Sequence, residues 1–203
     1  FDDVMDEARE QTERDYQLAS GLSTDIETND KLLAQTKARL PWLLIGMIGG
    51  LSNSLLLGNF EKSLAVNPAI ALFIPLIGGT GGNVGIQSSA IVVQGLANGS
   101  LDIKHSLSQI IKELGLALIN ASIISLLVFC YNVFCFHPDF KISIAVSISL
   151  FSVVLFAATF GTLVPLTLEK LKVDPAIATG PFITITNDII GMMIYMTVCM
   201  CLL

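Results

Sequence analysis

The chain has 203 residues, of which 53% are hydrophobic and 14% are charged, and its mean hydropathy is +0.72. This composition is more apolar than that of a soluble domain of similar length, so we expect most of the chain to lie in the lipid bilayer. The net charge is −6, but ten of the seventeen acidic residues fall within the first thirty positions. Because no basic patch accompanies them, nucleic acid is excluded as an expected partner.

The acidic N-terminal segment has the features of a helix outside the membrane. Residues 1–20 contain no Gly or Pro, Gly21 follows as a stop signal, and residues 22–30 are polar. We therefore predict that residues 1–39 form a cytoplasmic acidic helix with a linker, and that residues 40–203 form a transmembrane domain. The acidic residues, with Asp3, Asp6 and Glu7 as candidates, are either a solvated tail or an arm that senses cations.

Five apolar stretches are long enough to cross about 30 Å of hydrocarbon, which takes roughly 20 helical residues. They lie at about 40–59, 69–97, 114–136, 143–166 and 176–203, which predicts an all-α membrane protein with five transmembrane helices. If the N-terminus is cytoplasmic, nine of the eleven basic residues stay inside, and only Lys62 and Lys141 lie outside. By the positive-inside rule we predict that orientation in the cell (inner) membrane, with the C-terminus outside.

The second apolar stretch contains Pro75 and then five glycines within eight residues, at positions 78, 79, 81, 82 and 85. This density predicts a broken helix, and irregular backbone at membrane depth is tolerated where it lines a transport site. The alternative is close helix packing, since the run contains two Gly-x-x-x-Gly spacings. Asn83 and Gln87, which lie in the same run, favour a transport site.

The fifth stretch carries Asp188, the one acidic residue that the predicted limits place in the middle of an apolar run. On a straight helix from Pro175 it would lie about 20 Å along the axis. Burying a carboxylate there costs about 2.5 to 3.5 kcal/mol, and no Lys or Arg falls inside a predicted span to neutralise it. We therefore predict that Asp188 binds a cation. Helical spacing places four further residues on its face: Thr184, Asn187, Gly191 and Tyr195.

One carboxylate cannot neutralise a divalent ion, so we predict a homodimer in which two copies of Asp188 flank one ion. Mg²⁺ prefers octahedral oxygen ligands and is typically held by one or two carboxylates with several waters retained. The lack of His and Cys at this level of the sequence argues against zinc or copper, whereas manganese, cobalt or calcium would also fit. The four Cys lie in apolar runs without Cys-x-x-Cys spacing, and we interpret them as apolar packing residues.

Several short motifs together resemble the MgtE family of magnesium transporters and channels. They are residues 39–43 (RLPWL), 81–87 (GGNVGIQ), 173–176 (VDPA), and 180–182 (GPF) followed by Thr184 and Asp188. The resemblance implies a homodimer of five-helix subunits, with a pore on the two-fold axis and Mg²⁺ bound at Asp188. Residues 1–20 resemble the connecting helix that closes the pore at high cytosolic Mg²⁺, so Mg²⁺ is also a predicted regulator.

The chain starts at Phe1 without an initiator Met, so we expect it to be an excised piece of a longer protein. Family members usually carry further cytoplasmic regulatory domains, which are expected to be missing either from this piece or from the protein itself. Asp174 is predicted to lie at the cytoplasmic entrance. Gln94 departs from the family pattern, in which Arg is usual at this place. Residues predicted to hold the metal beside Asp188 are Asn83, Gly79, Thr184 and Gly180. Residues predicted to line the pore and set selectivity are Asn187, Gly82, Gln87 and Gly191.

An ion-coupled carrier and an intramembrane enzyme are the alternatives to a channel. An ion-coupled carrier for Mg²⁺, Mn²⁺ or Co²⁺ can also contain a broken helix, but a single intramembrane acid offers no proton relay, which favours a channel-like path. An intramembrane aspartyl protease needs two carboxylates, and a metalloprotease needs closely spaced His residues, whereas His105 and His137 are predicted in loops. We therefore predict a transporter and not an enzyme.

Overall fold

The computed structural model describes residues 2–22, 26–101, 106–136 and 139–203, and this part of the chain is helical with no β-strand. Five of its helices are long and apolar enough to span a membrane, so the predicted all-α, five-span architecture is confirmed. His105 and His137 lie outside the described residues. The helices are α1 (Asp2–Ala19), α2 (Leu32–Asn59), α3 (Glu61–Val66), α4 (Ile74–Ala97), α5 (Ser106–Tyr131), α6 (Phe140–Lys170) and α7 (Pro181–Leu202).

Three short irregular helical segments adjoin these helices. A 3₁₀ segment (Pro68–Phe73) leads into α4, a π-helical turn (Asn132–Phe136) ends α5, and a 3₁₀ turn (Pro175–Ala178) precedes α7. Helix α1 contacts this last turn. We call the end of the bundle that holds α1 the α1 end, and the end that holds α3 the far end.

Helix α6 forms the centre of the bundle, because it contacts α4, α5 and α7. Its middle residues Leu150, Val153, Val154 and Ala157 have no exposed surface. Asp139 begins this helix by accepting a hydrogen bond from the Lys141 backbone N–H at 3.0 Å. A short aspartate at this position satisfies an N–H group that the first turn leaves without a helical partner.

Helix α2 lies at the edge of the bundle and packs mainly on α7. Its contact with α7 is close at Gly49, where a Cβ atom would run into the side chain of Ile185. Most of its large apolar side chains, among them Ile48 and Leu55, are exposed in the isolated chain. The helix begins at Leu32, eight residues before the predicted span, so polar residues of the expected linker are helical.

The second span differs from the prediction at the glycine run. The helix type does change along this span, but the change lies between Phe73 and Ile74, before Pro75, and α4 continues without interruption through all five glycines. The packing alternative explains why. A Cβ atom at Gly81 would lie 2.9 Å from Val153 of α6, and one at Gly85 would collide with Asn187 of α7. The glycines therefore let neighbouring helices approach an intact α4.

The fifth span also begins later than predicted. After the 3₁₀ turn the chain extends at Thr179 and takes a left-handed conformation at Gly180, with φ of 58°, so α7 starts only at Pro181. Proline is well suited to this first position, because its missing N–H would have no helical partner there. Asp188 is thus seven residues into its helix, about 10 Å along the axis, instead of about 20 Å.

Candidate functional site

Asp188 lies on α7 where that helix passes the glycine run of α4. A Cβ atom built at Gly78 would be 3.4 Å from the Asp188 Oδ1 atom, so the carboxylate rests against a turn of α4 that has no side chain in the way. Asp188 is half-buried. Within the part of the chain that the structure describes, no Lys or Arg forms an ion pair with it.

Asn187 fixes the contact between the same two helices. It is 1% exposed, and its Nδ2 atom donates a hydrogen bond to the Gly81 carbonyl at 3.4 Å. Its Oδ1 atom is buried without a hydrogen-bond partner in the structure. The glycine at position 85 accommodates the Asn187 amide, where any side chain would collide with it. Asn187 therefore acts at the α4–α7 interface of one subunit.

Two other predicted pore residues are also inside the subunit. Gly82 is buried, with the Thr184 methyl group 3.5 Å from the place a Cβ atom would occupy. Gly191 is buried against Val153 of α6. Their predicted pore role stays a prediction, and in the structure both lie at contacts between helices.

The exposed part of α4 carries a polar stripe. Gly79, Asn83 and Gln87 are exposed and spaced four residues apart, so they share one face of the helix. Gly79 is adjacent to the Gly78 turn that Asp188 touches, and Asn83 lies five residues from Gly78, about 7 Å along the axis. The structure therefore puts these three predicted residues on one surface of α4, with Gly79 and Asn83 nearer to Asp188 than Gln87 is.

Thr184 and Gly180 precede Asp188 in the chain and lie between it and the α1 end. The Thr184 hydroxyl donates to the Gly180 carbonyl at 3.0 Å, which ties the first turn of α7 to the left-handed residue before it. Among the described residues, no group of three or more His, Cys, Asp or Glu side chains could hold a metal ion. The described part of the chain thus presents one carboxylate at this place, with nearby amide, hydroxyl and backbone oxygens.

The predicted entrance residue Asp174 is exposed, and its Oδ1 atom accepts a hydrogen bond from the Ala176 N–H at 2.9 Å. It lines a cavity of about 410 Å³ between α1, α4 and the chain before α7. Glu169, Lys172 and Gln11 also line this cavity. Gln94 is exposed on α4 near the same end.

Helix α1 is seated on the start of α7. A Cβ atom at Gly180 would run into the Ala19 carbonyl, and one at Gly21 would lie 2.7 Å from Pro181. Gly21 has φ of 78° and ends α1, as predicted. Asp6 and Glu7 are exposed on α1, whereas the side chain of Asp3 lies outside the described part.

Sequence analysis missed a second buried acid. Glu113 is 7% exposed and accepts a hydrogen bond from the Ser88 hydroxyl at 2.6 Å. The predicted third span began at 114, but the apolar helix runs from Leu107, so Glu113 lies inside it. Glu113 is thus a buried acid near the start of a helix that is long enough to span a membrane. Extending the predicted helix by one residue before 114 would have included it.

The matches to known proteins agree with this geometry. Residues 74–198 match the family model MgtE, described as a divalent cation transporter, and this range includes both the glycine run and Asp188.

The chain belongs to the MgtE family.

It is similar to the magnesium transporter MgtE of Bacillus subtilis, with 32% identity over 194 residues that cover 96% of this chain and 43% of the relative. The magnesium transporter MgtE of Thermus thermophilus is 34% identical over 166 residues, covering 82% of this chain and 36% of the relative. That of Enterococcus faecalis is 29% identical over 197 residues, covering 97% and 43%. The chain spans less than half the length of these relatives. Membership of the MgtE family, predicted from the motifs, is confirmed.

Proposed function

We propose that the chain is the membrane-embedded part of a Mg²⁺ transporter and that the ion binds at Asp188. The observation that carries this proposal is the half-buried carboxylate of Asp188, which lies against the backbone of α4 and has no cationic partner in the described part of the chain. A carboxylate within a membrane span costs about 2.5 to 3.5 kcal/mol, a cost that a bound cation offsets. The relatives named as magnesium transporters favour Mg²⁺ as that cation.

Two copies of the chain complete the site. A single carboxylate leaves a dication with one uncompensated positive charge, whereas two copies of Asp188 around a two-fold axis balance it. The polar stripe of Gly79, Asn83 and Gln87 supports this arrangement. An amide side chain that faces lipid within a span costs free energy. The face of α4 that carries Asn83 and Gln87 therefore turns toward a partner or a water-filled path.

The ion passes largely hydrated along that stripe. Mg²⁺ sheds water reluctantly and suits a site with few direct ligands, which Asp188 and the amide of Asn83 supply. Gly79, Thr184 and Gly180 add backbone oxygens or water-mediated contacts. Gln87 continues the path toward the α1 end. The set consists of oxygen donors, which suits a hard cation more than zinc or copper.

Helix α1 regulates the path from the cytoplasmic side, with residues 1–39 outside the membrane of the cell and the C-terminus on the opposite side. The contact of Ala19 and Gly21 with Gly180 and Pro181 supports a direct mechanical link to the ion helix. Acidic residues of α1 and the following segment line one open groove, a place where cytosolic Mg²⁺ binds and draws α1 onto the bundle. They are Glu7, Glu10, Glu13, Glu27 and Asp30. The longer relatives support additional cytoplasmic domains in the whole protein.

A proton-coupled carrier is the second candidate, because the buried Glu113 is a further acid within the helix bundle to which a proton could bind. Purified protein in lipid vesicles separates the two. A channel takes up Mg²⁺ down its own electrochemical gradient at an unchanged rate when the proton gradient is abolished. A carrier loses uptake under the same conditions.

The test of the site uses Asp188→Asn and Asp188→Ala in the same vesicles. We expect both to reduce Mg²⁺ uptake to the background level while the purified protein unfolds at an unchanged or higher temperature, since the variants remove a buried charge. Glu61→Gln on α3, an exposed acid, is the matched control and should transport normally. Normal uptake by Asp188→Asn would show that the ion binds elsewhere.

A further inference from the structure

The buried pair of Ser88 and Glu113 joins α4, which carries the polar stripe, to α5. Both side chains are almost fully buried, with 3% of Ser88 and 7% of Glu113 exposed. The Ser88 hydroxyl donates to the Glu113 Oε1 atom at 2.6 Å. This distance falls in the range typical of a hydroxyl bonded to a carboxylate, a strong class of hydrogen bond. Burying a polar pair in a membrane span costs free energy, and such groups are usually found where they have a function.

The charged residues on the elements packed around Glu113 do not pair with it. α4 contains no charged residue, and on α5 the adjacent Lys112 is exposed. α6 carries Glu169 and Lys170 at the same end of the bundle. Within the described residues neither Lys forms an ion pair with Glu113. Ser88 is therefore the polar side chain through which Glu113 acts on its surroundings.

The bond marks the side of α4 that faces α5. Successive residues of an α-helix are rotated by about 100°, so Ser88 pointing at α5 turns Gln87 about 100° away and Asn83 about 140° away. Both angles place these amides on the open side of α4, where the structure has them exposed. α4 and α5 each pack mainly on α6, so the Ser88–Glu113 bond ties the stripe-bearing helix to an element beyond its main neighbours.

The pair is also distinct from the Asp188 site. Ser88 and Gly78, the residue of α4 that Asp188 touches, are ten residues apart, about 15 Å along the helix. Glu113 lies nearer the α1 end, beside the part of α4 that carries Gln87. It touches the far side of the helix from the stripe, so it contacts no ion that follows the stripe.

We propose that Glu113 is a positioning residue for transport, which through its hydrogen bond with Ser88 holds α4 in the rotation that turns Asn83 and Gln87 toward the ion path. This proposal rests on the proposed function. It predicts that the acceptor oxygen of residue 113 and the hydroxyl of residue 88 are required together, and that the charge of Glu113 is dispensable.

The experiment measures Mg²⁺ uptake and the ratio of Mg²⁺ to Ca²⁺ uptake by the purified protein in lipid vesicles. Mg²⁺ uptake by the wild type and its loss in Asp188→Asn are measured first. Failure of either result would contradict the proposed function, independently of the role of Glu113. Glu113→Gln and Ser88→Thr keep the acceptor and the hydroxyl, and should stay within about twofold of wild type in both readouts. Glu113→Leu and Ser88→Ala should lower the rate or the ratio by about tenfold.

The double variant Ser88→Ala with Glu113→Leu should behave like either single variant, because both remove one bond. Loss in Glu113→Gln with normal Ser88→Ala would overturn the proposal, since the charge alone would then matter. Normal transport by Glu113→Leu and Ser88→Ala would overturn it as well. A lowered unfolding temperature in both, with the rate per folded protein and the Mg²⁺ to Ca²⁺ ratio unchanged, would reduce the pair to a structural contact and also overturn it.

Discussion

Gly161→Ala tests the packing that places the polar stripe. Gly161 of α6 faces the backbone of α4, and a Cβ atom there would run into the Gly85 carbonyl oxygen. A backbone carbonyl cannot rotate away as a side chain can. The two helices must therefore separate by on the order of 1 Å, which opens the interior on both sides of the contact.

Two opposing terms set the size of the effect. Overpacking of a closely packed interior costs about 1 to 3 kcal/mol, and a clash with backbone belongs at the upper end. Replacing Gly by Ala inside a helix returns about 1 kcal/mol. We expect Gly161→Ala to destabilise the protein by about 2 kcal/mol, which lowers the unfolding temperature by about 4 to 8 °C in a chain of this size. Circular dichroism of the protein in detergent measures this shift.

Gly115→Ala on α5 is the matched control, because a Cβ atom at Gly115 would meet nothing within 4 Å. That variant keeps only the gain in helix propensity, so it should unfold at the same or a higher temperature. The two substitutions are chemically identical, and their opposite signs would come from the helix contact alone. Equal unfolding temperatures would refute the backbone contact between α4 and α6, and with it the placement of the stripe.

Two further substitutions test other contacts. Tyr195 is fully buried and its hydroxyl donates to the Ile70 carbonyl at 2.7 Å, so Tyr195→Phe should cost about 1 to 3 kcal/mol, measured by thermal unfolding, and an unchanged unfolding temperature would contradict the bond. Gly180→Ala should cost about 1 to 2 kcal/mol from its left-handed conformation. It should also weaken the inhibition of uptake by Mg²⁺ on the α1 side, because the new methyl group pushes the Ala19 carbonyl away. Full inhibition in this variant would show that the contact of α1 with Gly180 does not regulate uptake.

The number and approximate position of the spans could be predicted, because a helix that crosses hydrocarbon must have about 20 apolar residues whatever its neighbours are. The short motifs at residues 39–43, 81–87, 173–176 and 180–188 likewise indicate the family from the sequence alone. These features depend on local composition and order. The start of α7 at Pro181 depends instead on the left-handed turn at Gly180, which a Gly-Pro pair permits but does not require.

The behaviour of the glycine run could not be predicted from α4 alone. A run of glycines either unwinds or packs, and the outcome depends on the surface that meets it. Here Val153 of α6 and Asn187 of α7 fill the space that side chains would occupy, and the helix stays intact. Glu113 falls just outside the predicted third span, which begins at 114, and its partner Ser88 lies 25 residues earlier in the chain, so its burial could not be predicted from α5 alone.

Asp188 and Glu113 both lie on helices that are long enough to span a membrane, but they differ in their partners, and this difference separates their proposed roles. The cost of a buried carboxylate falls on both. Glu113 meets a serine hydroxyl at a fixed short distance inside one subunit, so part of its cost is offset permanently and the group is held still. Asp188 lies beside Gly78 and is half-exposed, and under the proposed function its charge is compensated by an ion that binds and leaves. A group with a permanent partner suits positioning, whereas a group without one suits an ion that binds and leaves.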